Sequence, residues 1–169
     1  MKIRELMTND VKTCRPETNL ATVAGLMWEH DCGVLPVVDD QQRVLGVITD
    51  RDICLALGTK NRLASDVAVS EVMSGPAHVC SPDDEIKQAL KVMQQQAVRR
   101  LPVVDQEGQL QGMLSIRDLV SRIDESTAAK KKSSPLSSEE AINTLKAIGE
   151  SGSSTAAGSE QKVSRVKTA

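Results

Sequence analysis

Shifted by 66 positions, the 169-residue chain matches itself over residues 3–53 and 69–119 without a gap. This tandem repeat constrains the fold more than any other feature. Thirteen of the 51 aligned pairs are identical: Glu5/Glu71, Met7/Met73, Cys14/Cys80, Pro16/Pro82, Met27/Met93, the block Leu35 to Asp39 over Leu101 to Asp105, Gly46/Gly112, Arg51/Arg117 and Asp52/Asp118. A unit of about 55 residues buries too little surface to be comfortably stable alone. Two copies are therefore expected to pack face to face as one two-lobed body.

Within repeat 1, "VKTC" (11–14) reads as a short strand ended by Pro16. Leu20, Val23, Ala24 and Met27 follow at helical spacing, with Thr18 or Asn19 as N-cap candidates. The runs "VLPVV" (34–38) and "RVLGVIT" (43–49) are strands joined by the polar turn "DDQQ", and Asp50 to Leu57 reads as a helix. The order strand, helix, strand, strand, helix occurs twice and predicts an α+β fold, its apolar inner strands covered by helices. The divisions are 1–60, repeat 1 with the start of the linker; 61–123, repeat 2 with a short helical turn before it; and 124–169, a low-complexity, disordered tail. The tail has ten serines and the run Lys130 to Lys132, and its low apolar content predicts that it is dispensable for folding. Inside it, Ser137 and Glu140 form a capping-box pattern ahead of Ile142, Leu145 and Ile148, so this segment is either a transient helix or one that docks.

A net charge of −2, with no Tyr or Phe and one Trp, Trp28, argues against a nucleic-acid protein, which would show a basic face and aromatic platforms. No apolar run approaches the roughly 18 residues of a membrane span. The N-terminus "MKIRELMTND" is too charged for a signal peptide, and the four cysteines (14, 32, 54, 80) show no CxxC spacing. The expectation is a soluble cytoplasmic protein with reduced thiols. His30, Asp31 and Cys32 are adjacent, but they cannot all turn to one ion and no second ligand cluster follows, so no metal site is expected. No nucleophile recurs with a base, so neither catalytic residues nor a required cofactor are expected.

Two features could carry chemistry. Thr49-x-x-Asp52 and Ser115-x-x-Asp118 sit where an apolar strand enters a helix, a junction whose free N–H groups suit an anion. The Asp carboxylate suits a vicinal diol such as a ribose, and the hydroxyl could donate to phosphate. Ser/Thr-x-x-acid is equally a plain helix cap, needing no ligand. Arg99 and Arg100, just before "LPVV" of repeat 2, could hold phosphate, or could be an ordinary solvated strand end. Repeat 1 has Gly33 and Val34 there.

Taken together, "LPVVDDQQRVLGVITDRDI", its copy 66 residues on and the Gly-h-h-Thr/Ser-x-x-Asp pattern (h apolar) resemble a pair of CBS domains, the module named for cystathionine beta-synthase. The resemblance covers residues 1–123 and is greatest to small stand-alone bacterial CBS-pair proteins. It implies two repeats packed sheet to sheet about a pseudo-twofold axis, with clefts that bind AMP, ADP, ATP or S-adenosylmethionine. Asp52 and Asp118 would take the ribose, Thr49 and Ser115 the phosphate, and backbone near Thr13, Cys14, Val79 and Cys80 the adenine. Apolar walls at Val34, Leu35 and Pro36 and at Leu101 and Pro102 would sandwich the base. The implied antiparallel pairing of repeats would set Asp52 opposite Arg99 and Arg100, and Asp118 opposite Gly33 and Val34, so that the clefts differ in phosphate grip. The expected function is regulatory and non-catalytic: an adenine nucleotide is sensed and a protein partner of unknown identity is modulated. A homodimer is expected through helical faces carrying Leu26, Met27, Val92 and Met93. The alternative is an interaction protein with vestigial clefts, acting through its dimer surface or its C-terminal segment.

Overall fold

The structure, a computed structural model, describes residues 1–119 and 138–154. Repeat 1 contains helix α1 (Leu20–Glu29), strands β1 (Val34–Val38) and β2 (Val44–Thr49), and helix α2 (Asp50–Lys60). Repeat 2 contains α3 (Ile86–Gln96), β3 (Arg100–Val104), β4 (Leu110–Ser115) and a helix α4 described over 116–119. The last described element is α5 (Ser138–Ser154). Single 3-10 turns occur at Ile3–Glu5, Ala64–Asp66 and Val69–Glu71, the second of them the expected linker turn. Of the two N-cap candidates Asn19 is used, its side chain accepting from the Thr22 N–H at 2.9 Å. The expected first strand of repeat 1 shrinks to one bridge: Cys14 pairs in parallel with Val37, and Cys80 does the same with Val103. Pro16 and Pro82 follow within two residues and cannot donate to a longer ladder.

Each sheet has two strands, β1 with β2 and β3 with β4. In the antiparallel β1–β2 register Pro36 faces Val47, and proline, which has no N–H to donate, is tolerated where its partner's carbonyl is satisfied elsewhere. The Val47 N–H donates to the Ser74 carbonyl and the Ser74 N–H to the Val47 carbonyl, both at 2.9 Å. Sixty-six residues on, Met113 and Thr8 exchange the same pair of bonds at 2.9 Å each. The segment that opens each repeat thus pairs with the second strand of the other. This crossing explains one of the identities, the Gly46/Gly112 pair. A Cβ on Gly46 would meet the Ser74 oxygen at 2.5 Å, and one on Gly112 the Thr8 oxygen at 2.6 Å, so only glycine permits the approach. Arg43 bridges its own counterpart Gln109, with Val44 N–H to Gly108 O at 3.1 Å and Leu110 N–H to Gln42 O at 3.0 Å. Bonds that map onto one another under exchange of repeats are what a pseudo-twofold relation requires.

The described chain divides into two compact units. The larger, Lys2–Asp84 with Leu101–Leu114, holds a core of Leu20, Val23, Met27, Leu35, Val37, Ile48, Ile53, Val67 and Val69, among others. Full burial of each such side chain is worth roughly 1.5–3 kcal/mol. The other unit comprises Met1, Glu85–Arg100 and the described residues from Ser115 onward. In it α5 packs along α3. Leu90, Met93 and Leu119 are buried there, as are Thr144 and Ile148 of α5. Of the two sequence readings for this segment, the docked helix is the one observed. Ser137, Lys130 to Lys132 and the rest of 120–137 lie outside the described residues.

Candidate functional site

Asp39 and Asp105, identical in the repeats, are engaged within their own turns. The Asp39 carboxylate accepts from the Gln41 and Arg43 N–H groups at 2.9 Å each, and from Arg43 Nε at 2.8 Å. Asp105 accepts from Glu107, Gln109 and Gln111 in the same way. The Arg43 backbone bond, aided by its guanidinium, holds the Asp39 carboxyl below the usual carboxylate range. This aspartate belongs to the β-turn chemistry of the hairpin, a role its place in "PVVD" before a polar turn could have signalled.

Thr49 and Asp52 are brought together where β2 ends and α2 begins. The Thr49 N–H and hydroxyl both donate to Asp52 Oδ2, at 2.9 and 2.7 Å, and the Asp52 N–H donates back to Thr49 Oγ1 at 3.2 Å. Ser115 and Asp118 repeat the arrangement at 2.8, 2.7 and 3.3 Å. The capping box is therefore formed in both repeats. It consumes one carboxylate oxygen only: Oδ1 of Asp52 and of Asp118 accepts no hydrogen bond from the described residues, and both side chains are half-buried. The hydroxyl proton expected to reach phosphate is already directed at the carboxylate. What the junction offers is a fixed, ionisable acceptor beside a helix N-terminus, suited to a hydroxyl-bearing ligand.

The bridges at Cys14 and Cys80 use up those residues' backbone. The Cys14 N–H donates to Pro36 O at 3.1 Å and its carbonyl accepts from Val38 at 2.9 Å; Cys80 does likewise with Pro102 and Val104. Backbone polar groups for an adenine are left at Thr13 and Val79, which make no described hydrogen bond. The Cys14 and Cys80 thiols are buried, which pushes them up to about 11 and about 12. They serve as small core side chains. Leu35, Pro36, Leu101 and Pro102 are buried, while Val34 is half-exposed and faces Thr49 across the β1–β2 ladder.

The turns before β1 and β3 differ. The Gly33 carbonyl accepts from the Asp50 N–H at 3.2 Å, and the Arg99 carbonyl from Ile116 at 2.9 Å. A Cβ on Gly33 would lie 2.9 Å from Asp50 Oδ2, so a side chain at 33 would have to turn the Asp50 carboxylate aside. In repeat 2, Ile116 replaces the acid and Arg99 is admitted. Arg99 and Arg100 are exposed and form no ion pair with the described residues. A groove of about 520 Å³ lies beside α1 and α2, lined by Met27, Trp28, Asp31, Cys32, Asp50 and Cys54. Of the residues expected around the two clefts, Gly33 alone lines it. Among the described residues no cluster of three or more His, Cys, Asp or Glu could hold a metal, and no helix is long and apolar enough to cross a membrane.

Comparisons with known proteins agree with this architecture. The CBS domain family matches residues 3–59 and again 69–125. The CBS domain-containing protein YhcV of Bacillus subtilis is 37% identical over 117 residues, 69% of this chain and 81% of that one. CBSX2 of Arabidopsis thaliana, solved in complex with AMP, has a TM-score of 0.64 at 24% identity, covering 77% of this chain and 98% of that one. The CBS domain pair of protein MJ0100, solved with 5'-methylthioadenosine and S-adenosyl-L-methionine, has a TM-score of 0.66 at 21% identity, covering 78% and 98%. With two matched copies, the reciprocal crossing between them and a relative of this identity, the chain belongs to the CBS-domain family as a tandem pair.

Proposed function

We propose that this protein is a non-catalytic regulatory module of the cytoplasm that binds an adenosine nucleotide, AMP, ADP, ATP or S-adenosylmethionine, works as a homodimer and modulates a protein partner. The observation that carries the reading is the unused Oδ1 of Asp52 and Asp118: each cap fixes its carboxylate with one oxygen and leaves the other to accept from a ribose. Structures of the same fold hold AMP or S-adenosyl-L-methionine, which supports an adenosine ligand here. Arg99 and Arg100 would supply phosphate grip, and repeat 1 has no cation at the equivalent positions. By the resemblance to CBS pairs, the phosphate-bearing ligand would take Asp52 together with Arg100. Asp118 would serve a weaker or less anionic adenosine ligand.

Calorimetric titration of AMP, ADP and ATP tests this. Loss of a charge-assisted hydrogen bond costs about 1.5–3 kcal/mol, so Asp52→Ala and Arg100→Ala should each weaken the tight site by roughly tenfold to a hundredfold. Asp118→Ala should affect that site much less. Equal losses for Asp52→Ala and Asp118→Ala, with none for Arg100→Ala, would show the clefts to be wrongly assigned. A flat response to all adenosine ligands would remove the sensor reading.

A further inference from the structure

We propose that Cys32 and Cys54 form a peroxide-sensitive dithiol site in repeat 1. A small neutral peroxide oxidises Cys54, and Cys32 then closes an intramolecular disulfide with it. None of the residues assigned to the nucleotide takes part.

The two thiols come from different elements and line the same groove of about 520 Å³. Cys32 lies in the turn after α1, where its N–H donates to the Met27 carbonyl at 3.0 Å. The next carbonyl, that of Gly33, accepts from the Asp50 N–H at 3.2 Å and ties this turn to the start of α2. Cys54 is one helical turn beyond Asp50, on the same side of the helix. It therefore stands above the point where the turn is tied.

The repeats mark these two thiols as a pair. Cys14 and Cys80 occupy equivalent positions and are buried. Cys32 and Cys54 have no such counterparts: Val98 and Val120 stand at the matching places. Valine meets any need for a small apolar side chain at both positions. Thiols at both, in two elements that share a groove, keep that bulk and add a reaction. Burial gives each a part in it. Cys32 is half-buried and packs against the core, while Cys54 is exposed, although free cysteine is among the most buried residue types. Cys54 is the thiol that a reagent meets first, and Cys32 behind it is placed to resolve the product.

Charge selects the oxidant. Asp31 and Asp50 line the groove, and no described lining residue is basic. Two carboxylates repel anionic disulfides such as oxidised glutathione and admit a neutral peroxide. With hydrogen peroxide, the Cys54 sulfur attacks one oxygen: an S–O bond forms, the O–O bond breaks, and the departing hydroxide takes up the thiol proton as water. A sulfenic acid remains. The Cys32 sulfur attacks it in turn, forming the S–S bond and breaking the S–O bond, and the second water leaves with the Cys32 proton. The two thiols lose two electrons and the peroxide is reduced to two waters. In a reducing compartment the dithiol is the resting form and the disulfide a transient one.

The full chain, treated with hydrogen peroxide, alkylated and digested without reductant, tests the site by mass spectrometry. The unaltered protein should yield a peptide pair joined through Cys32 and Cys54, which dithiothreitol separates. Cys32→Ser should leave Cys54 as a sulfenic acid that dimedone traps, and Cys54→Ser should leave Cys32 unoxidised over the same interval. Cys32→Val combined with Cys54→Val, the residues of repeat 2, should keep the melting temperature of the reduced protein and be indifferent to peroxide. Cys54 driven to sulfinic acid while Cys32 is still alkylated, or a disulfide that joins two copies on a non-reducing gel, overturns the proposal. Nucleotide titration is read separately, and its failure would leave this site standing.

Discussion

The two repeats are alike where backbone meets backbone and unlike where side chains meet solvent. Position by position, Val47 and Met113, Thr49/Asp52 and Ser115/Asp118, and Cys14 and Cys80 make the same bonds at nearly the same distances. The turns ahead of their first inner strands, and the helix starts they bond to, diverge: Asp31, Gly33 and Asp50 in one, Ala97, Arg99 and Ile116 in the other. The first helices diverge likewise, α1 presenting Trp28 and Glu29 and α3 presenting Lys87 and Lys91 and packing against α5. Duplication has kept what the crossing and the core require, because a change there displaces backbone. It has let the exposed turns and helix faces separate into one acidic and one basic version, where a change costs little.

The largest expected effect tests the likeness. Gly46→Val and Gly112→Val each push carbon into a carbonyl oxygen already too close for a Cβ. Each should lose about 3 kcal/mol in denaturant unfolding. If one is tolerated and the other is not, the crossing is not equivalent in the two repeats.

The next tests the divergence. Ile148→Ala removes a buried anchor of α5 and should cost about 2 kcal/mol. The loss of hydrogen-exchange protection should be confined to α3 and α5. Deletion of α5 should lower the melting temperature as well, contrary to the dispensable tail that composition suggests. An unchanged melting temperature would show that α5 adds nothing to α3.

The smallest effect concerns the thiols. Exposed Cys54 should be alkylated quickly at neutral pH, while Cys14 and Cys80, shared by the repeats, should react only on unfolding. Their folded values, about 11 and about 12, lie above the ordinary 9.0. The unfolded chain therefore loses these protons first as pH rises. The contribution of the buried thiols is complete below pH 9 and fades between about pH 9 and 12. Stability unchanged across that window would contradict their burial.

Much of the fold was legible because its periodicities are local. Leu20, Val23 and Met27 at helical spacing, and the unbroken runs at 34–38 and 43–49, located the helices and strands within a few residues. The Thr/Ser-x-x-Asp junction was legible as a pattern too. Its two readings, cap or ligand group, could be weighed only once the hydrogen bonds showed which carboxylate oxygen the cap uses. The single bridges at Cys14 and Cys80 were over-read as strands, since apolar content says nothing about how many neighbours have a partner within reach. The roles of Gly46 and Gly112 were hidden although their identity was plain, because the atoms that forbid a side chain there belong to Ser74 and Thr8, 28 positions downstream and 104 upstream.

The sequence by itself determined that the chain is a duplicated unit of helices and β-hairpins with a paired hydroxyl and carboxylate at each strand–helix junction. Spacing along a chain is sufficient for that, since helix and strand periods, turn residues and caps act over a few neighbours. The tertiary structure alone decided that each repeat's opening segment pairs with the other's second strand, that α5 packs on α3, and that Trp28 on α1 stays in water. Those outcomes depend on which surfaces remain after the core has closed, a competition among distant segments for the same apolar ground that no local pattern encodes.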